Sequence, residues 1–160
     1  MERLWAPWRM SYILNSRQPG CFMCDLFQAE QDEKNMVLKR GETCALLLNR
    51  YPYNNGHLMA APYRHVGDFA GMTPAERCEM TELAGLACSI LRKTHQPDGF
   101  NIGINIGAAA GAGLVDHVHM HVVPRWEGDT NFLAVLGGVK VIPQPLDELW
   151  VQLREALKSL

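Results

Sequence analysis

The sequence predicts an α+β fold: a mostly antiparallel sheet of about five strands, with one long helix and a C-terminal helix packed against it. Three observations predict it. Short apolar stretches with a two-residue period recur between turn residues, at 36–40, 43–49, 57–61, 100–106 and 117–124, and that period belongs to strands. Behind a strong start signal, residues 73–96 carry apolar side chains at helical spacing. A second helical run follows from Leu146.

Taken in order, residues 1–20 are aromatic and basic without a period (Trp5, Trp8, Arg9, Tyr12) and form an N-terminal arm. Cys21-Phe22-Met23-Cys24 is a C-x-x-C motif, and the polar residues 28–34 turn the chain. The strands at 36–40 and 43–49 form a hairpin about Gly41-Glu42. Cys44, Leu46 and Leu48 alternate with the equally apolar Ala45 and Leu47, which predicts a central strand covered on both faces. Residues 52–56 have loop chemistry, and Pro62 ends the strand that follows.

In Thr73-Pro74-Ala75-Glu76 the threonine caps, the proline takes the first helical position and the glutamate completes a capping box. Met80, Leu83, Ala84, Ala87, Ile90 and Leu91 then define one helix face, and Pro97 and Gly99 end the element. The strand at 100–106 places Asn101, Gly103 and Asn105 on one face and three isoleucines on the other. Gly137-Gly138 reads as a turn, 139–142 as a short edge strand, and Pro145 as the opening of the C-terminal helix, 146–160.

Length and composition narrow the function. The 160 residues make one domain, 1–160. A net charge of −2 argues against a nucleic-acid polymer as partner, which demands a basic face. It leaves room for a nucleotide. No apolar run reaches the length of a membrane span, and Arg3, Trp5, Pro7, Trp8 and Arg9 interrupt any signal core. The expected location is the cytoplasm, with no membrane partner. Five cysteines, three of them in apolar contexts (Cys44, Cys78, Cys88), predict buried thiols rather than a disulfide framework.

The chemistry concentrates at His117-Val118-His119-Met120-His121-Val122-Val123-Pro124. Strict alternation places His117, His119 and His121 in a row on one strand face and Val118, Met120 and Val122 in the core. Pro124 is expected to close the strand. Three imidazoles buried together need partners, and metal binding or nucleophilic catalysis would use them. The C-x-x-C is open to zinc, redox or coincidence, although no βαβ context supports a thioredoxin-like role. The small-residue run Gly107-Ala108-Ala109-Ala110-Gly111-Ala112-Gly113 matches no Walker or dinucleotide fingerprint. It is either a flexible connector or a loop whose backbone N–H groups, around Gly111 and Gly113, approach a phosphate.

His-x-His-x-His followed by apolar residues resembles the signature of the histidine triad (HIT) superfamily of nucleotide hydrolases and transferases. Residues 46–58, with Asn49, Pro52, Gly56 and His57, resemble its nucleoside-binding segment, and Ala61-Pro62-Tyr63-Arg64-His65-Val66 the strand exit after it. The segments 4–13 (Leu4-Trp5-Ala6-Pro7-Trp8 onward) and 124–132 (Pro124-Arg125-Trp126 onward) resemble the branch containing diadenosine tetraphosphate phosphorylases. The resemblance spans nearly the whole chain.

It implies a HIT-like fold, a homodimer, and a nucleotide or dinucleoside polyphosphate substrate cleaved through a nucleotidyl adduct on His119. His121 would contact the transferring phosphoryl oxygens or help protonate the leaving group, and His117 would position the site or ligate zinc. Asn49 matches a ribose contact and Asn105 an α-phosphate contact, while turn or strand-end hydrogen bonding is the plain alternative for each. Zinc-bearing relatives join two cysteines to the first triad histidine and a histidine after the preceding strand. That carry-over falls on Cys21, Cys24, His65 and His117, a structural zinc set. Many relatives carry glutamine and serine just before the triad. Gly113 and Leu114 stand there in this chain, which fits the phosphorylase-like branch better than the phosphoramidase one. Arg125 is left between a distal phosphate and a salt bridge, and Tyr53 and Trp126 between a base and the core. Rival functions are hydrolysis of nucleoside phosphoramidates, nucleotide binding without turnover, and a zinc-organised structural role.

Overall fold

The computed structural model describes residues 20–129 and 142–160. Strands β1 (Val37–Arg40), β2 (Cys44–Leu48), β3 (Leu58–Pro62), β4 (Gly99–Ile104) and β5 (Met120–Arg125) form one sheet in the order β1-β2-β3-β5-β4. Every neighbouring pair is antiparallel. The helices among the described residues are α1 (Phe22–Gln28), α2 (Pro74–His95) and α3 (Leu146–Leu157). The expected α+β architecture is present, and no helix among the described residues is long and apolar enough to cross a membrane. The expected N-terminal arm, the Gly137-Gly138 turn and residues 139–141 lie outside the described residues; Ile142 stands outside any helix or strand.

Strand β2 is buried at every position because each of its faces meets a different layer. Cys44, Leu46 and Leu48 face the layer of α2 and α3, where Met80, Leu83, Ile90, Leu91, Leu149 and Leu153 join them. Ala45 and Leu47 face α1 through Met23 and Phe27. Each fully buried leucine, isoleucine or methionine contributes roughly 1.5–3 kcal/mol, so the α2 face holds the sheet's shape. The helix begins as its sequence dictates: Thr73 accepts from Glu76 N, Glu76 accepts from Thr73 N, and Pro74 sits in the first turn. It ends at Gln96, which takes a left-handed conformation at φ 48°.

A carboxylate of α2 also holds the β1–β2 turn. Glu79 accepts hydrogen bonds from the backbone of Glu42, Thr43 and Cys44 and from the Thr43 hydroxyl, at 2.5–2.9 Å. Burial alone would raise its pKa, but these donors hold it below the usual carboxylate value. Gly41 has no side chain because any Cβ there would collide with the Glu79 carboxylate. Glu79→Ala strands several donors at once, so we expect a loss of about 2–4 kcal/mol, read as a lower urea midpoint at unchanged slope.

Three sequence expectations need correction. Pro124 does not close the last strand: it lies inside β5, opposite Phe100. Pairing with β3 ends at Val122, and the side-chain amide of Asn54 donates to the Pro124 carbonyl at 3.0 Å. The proline nitrogen faces the same side, where no strand remains to need its missing N–H. The strand also starts later than expected, at Met120, so His117 and His119 precede the ladder. Val118 N–H instead donates to Val66 O at 2.7 Å. Finally, Cys78 is exposed, whereas Cys44 and Cys88 are buried as expected.

Candidate active site and metal centre

Four imidazoles meet on the sheet face opposite α2, and their hydrogen bonds fix the proton of each. His119 Nδ1 lies 2.8 Å from the carbonyl of His117. A carbonyl only accepts, so Nδ1 carries the proton and Nε2 holds the lone pair. His117 Nε2 lies 2.8 Å from the Pro62 carbonyl. Its proton is therefore on Nε2, and its lone pair is on Nδ1. His121 takes its tautomer from His57, which lies in the segment resembling the family's nucleoside-binding stretch. The backbone N–H of Tyr53 donates to His57 Nδ1 at 3.0 Å. His57 Nε2 must then carry the proton and donate to His121 Nδ1, 2.9 Å away. His121 is left with its proton on Nε2, a buried atom without a hydrogen-bond partner among the described residues.

Local sequence builds this relay. Gly56, immediately before His57, takes φ +77°, and a Cβ there would stand 2.9 Å from Leu91 Cδ2 and 3.2 Å from Pro124 Cγ. Only glycine lets the loop turn so tightly against α2 and β5. Asn49 accepts from Tyr51 N–H at 2.8 Å and places its amide nitrogen 3.3 Å from His57 Nδ1. The turn role that the sequence left open for Asn49 is thus present, and it belongs to the relay.

The triad is not one flat row. The His119 and His121 rings are neighbours at 4.8 Å, edge to face. The His117 ring turns instead toward His65, 5.5 Å away, and toward two thiols. Cys21 Sγ is 3.2 Å and Cys24 Sγ 3.6 Å from His117 Nδ1, and Cys24 Sγ is 3.5 Å from His65 Nδ1. The four donor atoms lie within 4.8 Å of one another. A tetrahedral zinc with ordinary bond lengths separates sulfur and nitrogen ligands by about 3.5 Å, and the three S···N distances match that spacing. The His117 tautomer fits as well, because the lone pair faces the thiols. Helix α1, which no periodicity in the sequence marks, carries Cys24 one turn after Cys21, with Met23 and Phe27 anchoring it.

The other expected site residues are placed less closely. Asn105, half-buried, immediately follows the end of β4, two residues after Gly103, which pairs with His121. Gly111 closes a 3-10 turn over Ala108–Ala110 at φ +84°, and Gly113 is exposed beside Leu114, which lines the Cys/His cavity. The loop leads from β4 directly into the triad. Arg125 takes the salt-bridge alternative: it holds Asp129 through two nitrogens at 2.6 Å and Asn101 at 2.9 Å. Trp126 donates to the His95 carbonyl at 3.3 Å.

Burial keeps the triad neutral. It pushes the pKa values of His117 and His119 below the ordinary imidazole value, and with the neighbouring His119 it pushes His121 down to about 4. An unfolded imidazole titrates near 6.5. Between that pH and about 4 the unfolded chain takes up a proton that folded His121 refuses. The associated stability is fully present above pH 6.5 and is lost as pH falls through this window, by roughly 3 kcal/mol for His121 alone. Urea midpoints measured from pH 7 to pH 4 should fall steeply in the wild type and less in His121→Gln. Equal slopes would show that His121 is not the group responsible.

Comparison with known proteins fits this geometry. The family model described as the HIT domain matches residues 29–128. The chain belongs to the HIT family. Over 155 residues it is 41% identical to a Mycobacterium tuberculosis protein named AP-4-A phosphorylase, covering 91% of this chain and 79% of that one. It is 32% identical to an uncharacterised HIT-like protein of Methanocaldococcus jannaschii, covering 84% and 98%. Among solved structures, a zinc-bound HIT protein of Mycobacterium smegmatis superposes with a TM-score of 0.71 at 27% identity, covering 88% of this chain and 94% of that one. The HIT fold expected from the triad and the family match agree with the five-stranded sheet.

Proposed function

We propose that this HIT protein is a nucleotidyl transferase that cleaves dinucleoside polyphosphates such as diadenosine tetraphosphate. The observation that carries the reading is the pair of oppositely fixed imidazoles. His119 Nε2 is a neutral lone pair, and beside it His121 presents a buried N–H without a partner. The first is a nucleophile and the second a donor for a phosphoryl oxygen. The identity to the mycobacterial phosphorylase supports the choice of substrate.

His119 Nε2 attacks the α-phosphorus; a P–N bond forms as the bridging P–O bond breaks, and ATP departs with the electron pair. An oxygen of inorganic phosphate then attacks the same phosphorus, the P–N bond breaks, and ADP leaves a neutral His119. His121, neutral at pH 7, donates a hydrogen bond and does not protonate the leaving group. The His117 carbonyl holds the nucleophile in its tautomer. Asn49 and Asn105 serve the ribose and α-phosphate, and the Gly111–Gly113 backbone serves the phosphates. Product analysis with diadenosine tetraphosphate tests this: ADP and ATP that require phosphate support phosphorolysis. AMP and ATP without phosphate redirect the reading to hydrolysis, and turnover confined to nucleoside phosphoramidates overturns it.

Cys21, Cys24, His65 and His117 hold a structural zinc in this reading, supported by the donor spacing and by the zinc-bound relative. When bound, the ion supplies a cross-link among three segments of the chain. The homodimer is supported by the sheet's unequal edges. Trp150 and Arg154 of α3 donate to the Val37 and Leu38 carbonyls of β1 and cover that edge. At the other edge, β4 keeps Ile102 51% exposed, which suits a second copy. Free cysteines and the absence of a long apolar helix among the described residues fit a cytoplasmic protein.

A further inference from the structure

One aromatic side chain at the site is neither in the core nor bonded to the relay through its own polar atom. Tyr53 is 48% exposed. Its ring lies 4.6 Å from that of His57 and 5.4 Å from that of His121, tilted by 43° and 35°. Its backbone N–H is committed to His57 Nδ1, which fixes the loop under the ring. Its hydroxyl makes no hydrogen bond to any described residue. This exposed phenol therefore flanks the imidazole whose buried Nε2–H is unpartnered.

We propose that Tyr53 is a specificity-determining residue that donates its hydroxyl to the first phosphate of the leaving group. The inference rests on the nucleotidyl-transfer reading. The attacked phosphorus must come within reach of both His119 Nε2 and the His121 N–H. In a polyphosphate, the next phosphate is one bridging oxygen away, about one ring's breadth, whereas the second nucleoside lies at the far end of the chain. The ring beside His121 thus falls at the level of the leaving phosphate. Two charged candidates are already engaged: Arg50 donates to the Lys34 carbonyl, and Arg125 is held by Asp129 and Asn101. The hydroxyl of a ring that flanks His121 supplies a donor to the anion without a fixed positive charge that would retain the product.

The test compares two substrates with the same adenylyl group. Diadenosine tetraphosphate releases ATP, a polyphosphate leaving group; the p-nitrophenyl ester of AMP releases p-nitrophenolate, which carries no phosphate. Tyr53→Phe keeps the ring against His57 and His121 and removes only the hydroxyl. The ratio of kcat/KM values, tetraphosphate over ester, is expected to fall about tenfold or more, the size of one hydrogen bond to a charged group. Tyr53→Leu, which removes the ring as well, should lower both substrates. An unchanged ratio in Tyr53→Phe overturns the proposal, whether both rates hold or both fall together. A wild-type protein inert toward both substrates overturns the nucleotidyl-transfer reading instead, and this inference with it.

Discussion

His119→Gly should abolish turnover of diadenosine tetraphosphate, lowering kcat on the order of 10⁴-fold or more, while nucleotide affinity stays within a few-fold of the wild type. The expectation follows from tautomer geometry. His119 is 6% exposed, and its Nδ1–H is tied to the His117 carbonyl, so the attacking lone pair is preset on Nε2. No neighbour can take its place. His121 has a proton on Nε2 and an occupied Nδ1, and His117 turns its lone pair toward the thiols. The variant leaves one buried carbonyl without a donor, a cost of about 1–3 kcal/mol, which a domain of this size withstands. Steady-state kinetics and calorimetric titration with a non-cleavable dinucleotide separate the two effects. Retained turnover would exclude His119 as nucleophile, and loss of binding together with turnover would point to misfolding.

The proposed structural zinc predicts that Cys21→Ser releases the ion and lowers unfolding stability on the order of 4 kcal/mol, the stabilisation a ligand gives at about a thousand times its dissociation constant. The cluster ties α1, the segment after β3 and the segment before β5, and the last of these lacks a sheet ladder through His117 and His119. Burial, with the neighbouring Cys21 thiol, pushes the Cys24 thiol up to about 11. Zinc must therefore displace protons on binding, and its affinity should fall as pH drops. Elemental analysis, with thermal unfolding before and after chelation, checks this. A wild-type protein purified with no zinc, whose midpoint does not rise when zinc is added, would exclude the site.

The sheet and the long helix were legible because their signals are local. Thr73-Pro74-Ala75-Glu76 builds its own capping box, and the doubly apolar β2 has to be central whatever surrounds it. The Cys/His cluster was legible only through resemblance, since Cys21 and His117 are 96 residues apart and no period links them. Three features were not legible. Helix α1 has seven residues, too few for a helical period to stand out, although Met23 and Phe27 sit four apart. Pro124 looked like a strand end because proline lacks a donor, and only the sheet order shows that its nitrogen faces no strand. The tautomer of His121 depends on a bond to His57 across 64 residues and on a backbone N–H of Tyr53. A hydrogen-bond relay of that kind becomes visible only when the chain is folded.

In the proposed reaction His119 Nε2 bonds to the α-phosphorus, and every later step depends on that bond. Diadenosine tetraphosphate labelled at the α-phosphate, mixed with the protein without phosphate and quenched in alkali within milliseconds, reads this out after proteolysis and mass spectrometry. The account predicts an acid-labile adenylyl group on the peptide containing 117–121, localised to His119 and cleared when phosphate is added before the quench. Product formed at full rate with the label on another residue, or on none at any time point, would contradict it.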